Sequence, residues 1–272
     1  MNIFTVILLQ PLANGLILFY RLLASNLGLA IIGFSLFLRF ILNPLTAPYM
    51  KSMKRMKDLG PQLEKLKIRH KGDRVKFAQA QADLYKERGI NPGAGCLPYL
   101  LQIVVLIAFF NVFTRVLSPD GNPALRFNEL LYTPLKFEQD EVINTKFLYL
   151  DITKPDSFKL EFLPFSIPGP ILILAALVQF VSAKVMTPYT KIEEKIAKKT
   201  KEATDDFQVA MQKSMVYTFP LFTLFIGLQF ASGLALYWLV FSLTQAYQQV
   251  RMQGWGELTP WIEKTKLVKS ER

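Results

Sequence analysis

Cysteine and histidine are nearly absent: 272 residues hold one of each, Cys96 and His70. A lone thiol cannot staple a fold, and one Cys with one His is too few ligands for a structural zinc site. No GxxxxGK[ST] loop occurs, so nucleotide-driven transport has no phosphate cradle. The 21 acidic residues all fall outside the long apolar stretches, which removes the paired intramembrane carboxylates an aspartyl protease needs. His70 lies among charged residues, away from any apolar span, where it cannot activate an intramembrane serine. It reads as a solvated turn residue, and Cys96 as a small residue at a helix start. Enzymatic catalysis is therefore not expected, and no metal or cofactor is implied.

What the chain does have is apolar length and segregated charge. Hydrophobic residues make up 51% of it, with a formal charge of +11. The apolar residues gather into blocks near the length of a membrane-crossing helix, about 20 residues. Five such blocks read as transmembrane helices, at 27–46, 97–117, 168–186, 216–231 and 234–250. The last two are separated only by Ser232 and Gly233, which predicts a tight antiparallel pair.

Charge assigns the sides. Residues 47–96 carry 12 Lys/Arg and 5 Asp/Glu, whereas 118–166 carry 5 and 8. Residues 188–213 carry 6 and 5, and the tail from 250 carries 5 and 3. Basic loops stay cytoplasmic. The segments 47–96, 187–213 and 251–272 are thus expected inside, 118–166 outside, with the first of the five spans starting outside and the C-terminus cytoplasmic.

Segment 47–96 reads as a basic helical hairpin. Apolar residues recur at 50, 53, 56, 59, 63 and 66, a helical period. Residues 70–73 make a turn, and 74–88 form the second arm before Gly89 and Pro92. Residues 1–26 are apolar but interrupted by Gln10, Pro11, Asn14 and Arg21. They lack the basic start and small-residue cleavage site of a signal peptide. An outer-face interfacial helix over 11–24 is preferred to a sixth span. The chain is therefore an all-α polytopic membrane protein with a basic cytoplasmic hairpin.

The spans contain polar side chains: Arg39, then Gln102 and Asn111, then Gln179, then Thr223 and Gln229, then Tyr237, Trp238, Ser242 and Gln245. A charge at a helix centre costs about 2.5–3.5 kcal/mol on insertion scales. Arg39 either snorkels to the headgroups or faces a wet cavity in the bundle. In a cavity, with no carboxylate in any span to neutralise it, it would attract acidic groups on something passing through.

Three stretches carry a resemblance: "GLAIIGFSLFLRFILNPLTAP" (28–48), "INPGAGCLPYLLQIVVLIAFFNVF" (90–113) and "ASGLALYWLVFSLTQAYQQ" (231–249). Together, with the basic hairpin between the first two, they resemble the YidC/Oxa1/Alb3 membrane protein insertases over nearly all of 11–117 and 147–250. The resemblance implies a five-transmembrane-helix core around a hydrophilic groove, open to the cytoplasm and to lipid but closed outside. The family's groove arginine falls on Arg39, and its third-span glutamine and final-span tryptophan on Gln179 and Trp238. Gln102, Tyr237 and Gln245 complete the expected lining.

It also implies a bacterial plasma membrane protein whose clients are nascent membrane proteins, released laterally into lipid. Anionic phospholipids, the ribosome and the Sec translocon are further candidate partners, and no small-molecule substrate is expected. First contact is assigned to the hairpin base, where Lys54 and Arg55 stand among Met50, Met53 and Met56. Methionine suits variable apolar partners. Residues 119–145 look like an insertion, with strand material at 146–152. The rival readings are a small-solute channel or transporter, for which five spans offer no internal repeat, and a structural scaffold.

Overall fold

The computed structural model describes residues 2–70, 73–91, 97–117, 122–162, 164–186 and 216–262. It is built from long helices. The first opens with a π-helical turn at Thr5–Leu9 and continues as α1 (Gln10–Leu22). Left-handed backbone at Ala24 and Ser25, φ 54° and 48°, turns the chain into α2 (Leu27–Asp58). The hairpin follows as α3 (Gly60–Arg69) and α4 (Arg74–Glu87). Next come α5 (Leu97–Val116), the short α6 (Pro123–Asn128) and α7 (Pro170–Met186). The chain closes with α8 (Val216–Gly227) and α9 (Ser232–Gln253).

Three boundaries differ from the sequence expectation. The first span does not end at Thr46: α2 runs unbroken through Pro44 and Pro48 to Asp58, so the span and the start of the expected hairpin arm are one rod. Each proline removes one intrahelical donor, but Leu45, Ala47, Met50, Lys51 and Lys54 are strong helix formers and carry the helix on. The break falls instead at Leu59 and Gly60, where Pro61 opens α3. The turn before the last helix lies at 228–231, and Ser232 and Gly233 are the first residues of α9. The N-terminal helix starts earlier than expected and runs from Thr5 to Leu22.

Among the described residues, Thr5–Leu22 and Leu27–Thr46 are long and apolar enough to cross a membrane; Ile103–Val116, Pro170–Val185 and Val216–Gly227 are shorter apolar helices. Helix α9 is 22 residues long, but Ser242, Thr244, Gln245, Gln248 and Gln249 dilute its apolar character. The outward faces of these helices are greasy. Leu36, Phe37, Phe40, Ile41 and Leu45 on α2 are exposed, as are Ile173, Leu174 and Leu177 on α7 and Leu221, Phe222 and Phe225 on α8. Apolar belts this extensive are foreign to water-facing surfaces.

Inside, one cluster joins Leu16, Ile17 and Tyr20 of α1 to Ile31 and Phe34 of α2, Phe109 and Phe113 of α5, and Leu234 and Tyr237 of α9. Residues 122–162 and 164–169 cap one end of this bundle, the loop end. Two small antiparallel hairpins form there, β1 (Lys146–Phe147) with β2 (Leu150–Asp151), and β3 (Ser157–Lys159) with β4 (Ser166–Pro168). The expected strand material at 146–152 is the first of these. The basic hairpin projects from the opposite end.

Candidate functional site

The loop end fixes the frame. A helix leaves its first amides without intrahelical partners, and here one segment supplies acceptors for three helices. Leu27 N–H of α2 donates to Asn144 O at 3.1 Å, and Ser232 N–H of α9 donates to Lys154 O at 2.7 Å. At α7, Leu172 N–H donates to the Asp156 carboxylate at 2.8 Å, and Ile171 N–H to the Tyr149 hydroxyl oxygen at 2.9 Å. The Tyr149 O–H in turn donates to Asp156 at 3.1 Å. Asp156 is 2% exposed, a buried carboxylate satisfied at a helix N-terminus. Burial, with the Asp156 charge beside it, pushes the Tyr149 hydroxyl up to about 12.

The same segment drives a plug into the bundle. Ile152 is fully buried, and a Cβ at Gly233 would lie 2.9 Å from its Cγ2, with Ile31 and Phe113 also in reach. Only a glycine at 233 lets the loop and α9 approach so closely. Nearby, burial raises the Asp151 carboxyl, yet hydrogen bonds from the Thr153 hydroxyl and amide and the charge of Lys146 at 3.4 Å hold it below the usual carboxylate range. Helix α1 joins this layer: Asn14 bonds Leu130 O at 3.0 Å and Tyr132 N–H at 2.8 Å, and Tyr20 OH accepts from Asn144 N–H at 2.9 Å.

Toward the hairpin end polarity is handled differently. Arg39 lies 12 residues into α2, roughly 18 Å along its axis. Its Nη2 donates to Gln248 Oε1 of α9 at 2.8 Å, and its guanidinium stands 4.8 Å from the centre of the Phe241 ring. The Gln248 amide nitrogen donates to Asn43 Oδ1, one turn beyond Arg39 on α2. Arg39 Nε is buried with no hydrogen-bond acceptor. An aromatic column backs the cation: Phe241 stacks on Tyr237 at 6.2 Å, and Tyr237 on Phe109 at 4.4 Å.

Arg39 Nε is one of three such atoms among the described residues, with Ser182 Oγ of α7 and Gln249 Nε2 of α9. They lie about 18, 18 and 26 Å from the starts of their helices at the loop end. All three orphans therefore sit in the inner or hairpin-side half of the bundle. A buried donor without a partner costs about 1–3 kcal/mol, so these three atoms are a local cost to the fold.

The sequence-predicted residues divide accordingly. Arg39 meets α9 through Gln248 and Phe241. Tyr237 and Trp238 are buried, and Gln245 is half-buried on the same helix. Gln179 accepts a hydrogen bond from the Thr223 hydroxyl at 2.5 Å, tying α7 to α8. Gln102 lies on α5 with its side chain outside the described residues. The same holds for the side chains of Met50, Met53 and Met56 on α2, while Lys54 and Arg55 are exposed on that helix. Cys96 lies outside the described residues. Sequence reasoning missed Asn43, Phe241 and Gln248; the available signal was Gln248 and Phe241 at i+3 and i−4 to Gln245 on one helix.

The profile of the 60Kd inner membrane protein family matches residues 18–257. A Fusobacterium nucleatum subsp. nucleatum protein named Membrane protein insertase YidC is 31% identical over 225 residues, 83% of this chain and 85% of that one. A Bacillus anthracis protein named Membrane protein insertase YidC 2 is 29% identical over 244 residues, 87% of this chain and 77% of that one. Other relatives are much longer: a Pelobacter propionicus protein with the first name is 33% identical over 91% of this chain, which spans 38% of its length. The chain belongs to the 60Kd inner membrane protein family, that of the membrane protein insertases named YidC.

Proposed function

We propose that the protein is a membrane protein insertase of the bacterial inner membrane, which moves the polar outer tail of a newly made client past Arg39 and releases its apolar span sideways into lipid. The observation that carries this reading is the Arg39 site: a half-buried cation hydrogen-bonded to a neutral amide, with its buried Nε unsatisfied. Five helices, α2, α5, α7, α8 and α9, form the core. The loop end faces outside and is sealed by Ile152; the hairpin and C-terminus are cytoplasmic; α1 lies along the outer face, in hydrogen-bond contact with the outer loop.

The physical problem is the tail. Polar residues crossing a hydrocarbon core about 30 Å thick meet a cost of several kcal/mol each. A groove wet from the cytoplasm up to Arg39 shortens the dry path, and the cation attracts acidic tails into it. Arg39, Gln102, Gln179, Tyr237, Trp238 and Gln245 line or support the groove. The exposed faces of α2 and α8 give the client span an apolar exit. The basic hairpin, with Lys54, Arg55 and the methionines of its base, makes first contact with clients and anionic lipid. Ribosome and Sec translocon are partners in delivery.

The test is reconstitution. Liposomes containing the protein are expected to protect the outer tail of an added single-span client from external protease, beyond empty liposomes. No protection across several clients, together with ion or solute flux through planar bilayers, would replace this reading with the channel.

A further inference from the structure

We infer that Gln248 is a displaceable stand-in for a client carboxylate on Arg39 and so sets the charge selectivity of the groove; this rests on the insertase reading above. The guanidinium presents its donors as a planar fork, and a carboxylate fills one edge of the fork with both oxygens. Gln248 fills half of such an edge. Its single carbonyl oxygen takes Nη2 at 2.8 Å, and Nε has no acceptor.

The orientation of the amide is set by its other end. Gln248 Nε2 donates to Asn43 Oδ1, so the atom turned to Arg39 is the carbonyl oxygen; the flipped amide would face donor to cation and carbonyl to carbonyl. Phe241 closes a further side of the cation with its ring face at 4.8 Å. Arg39 is thereby held flat and aimed, with no carboxylate paired to it among the described residues. A carboxylate arriving on a client tail offers the second oxygen and the opposite charge, and charge-assisted bonds are about twice as strong as neutral ones. It displaces Gln248, which stays parked on Asn43 and closes again when the tail moves on. A carboxylate at position 248 would instead pair with Arg39 permanently.

The test uses the full chain in liposomes and two single-span clients that differ only in whether the outer tail carries aspartates or asparagines. The readout is the ratio of their protease-protected fractions. Gln248→Glu is expected to lower the ratio about tenfold, while Gln248→Leu, which removes the competitor, raises it about threefold. Arg39→Ala brings the ratio near one. A ratio unmoved by either Gln248 variant but lowered by Arg39→Ala would overturn the stand-in and leave the groove reading in place. A drop of the same size in Gln248→Glu and Gln248→Leu would make Gln248 a structural strut and overturn the inference. A ratio unmoved by Arg39→Ala would sink the role of the cation itself.

Discussion

At the loop end a leading amide of each of α2, α7 and α9 finds its acceptor in one segment, 144–156. Some 20 Å further along the same helices, roughly four turns, Arg39, Ser182 and Gln249 keep buried polar atoms that the protein does not satisfy. Both ends contain buried polarity, but among the described residues only one is complete. A closed end spends its polar groups on holding three helices in register. An end left open has groups to offer to something else, and its incompleteness lowers stability there.

That contrast can be broken most sharply at Gly169. A methyl there would run into the buried Asp156 carboxylate, so Gly169→Ala should destabilise the fold by on the order of 3 kcal/mol, read as a fall in the thermal transition in detergent. Asp156→Ala strands the Leu172 amide and the Tyr149 hydroxyl and should cost about 2 kcal/mol.

Tyr149→Phe should cost about 1 kcal/mol and sharpens the comparison through pH. The folded Tyr149 hydroxyl is raised to about 12 from the ordinary value near 10. Its contribution is complete below about pH 10 and is lost as pH rises toward 12. Wild type should loosen over that window, and the phenylalanine variant should lack that component of the transition. Asp151 works with the opposite sign: its depressed carboxyl stabilises at neutral pH, and that help is lost as pH falls below the ordinary carboxylate range.

At the open end the sign of a polar deletion should reverse. Ser182→Ala removes an orphan rather than a bond and is expected to be neutral or to stabilise by up to about 1 kcal/mol, the opposite of Asp156→Ala in the same assay. The smallest effect belongs to Asp73, whose carboxylate accepts the Lys76 amide at 3.0 Å and caps α4. Asp73→Ala should fray the second hairpin arm, seen as a slight loss of helical circular dichroism.

Much of this was legible from periodicity and charge. The apolar blocks anticipated where α2 begins and where α5, α7, α8 and α9 lie to within a few residues, because helix burial is written in side chains close in sequence. The fusion of the first span with the base of the hairpin was not legible, since the apolar run ends near Thr46 while helix formers carry the backbone on through Pro44 and Pro48. At the site, Arg39 stood out as a charge in an apolar run. Gln248, 209 positions away, shares a helix face with Gln245, but only the register of α9 against α2 shows that it is the residue that meets Arg39. Asp156 was equally silent, since an exposed loop carboxylate and a buried helix cap look the same in sequence.

The central claim, that a client tail travels beside Arg39, is tested most directly by photo-crosslinking during insertion. A photoreactive residue at Gln245 on α9 is compared with one at exposed Phe225 on α8. The account predicts that position 245 captures the client's outer tail while position 225 captures only its apolar span. Tail captured from 225 and never from 245 would place the polar path outside the groove and contradict it.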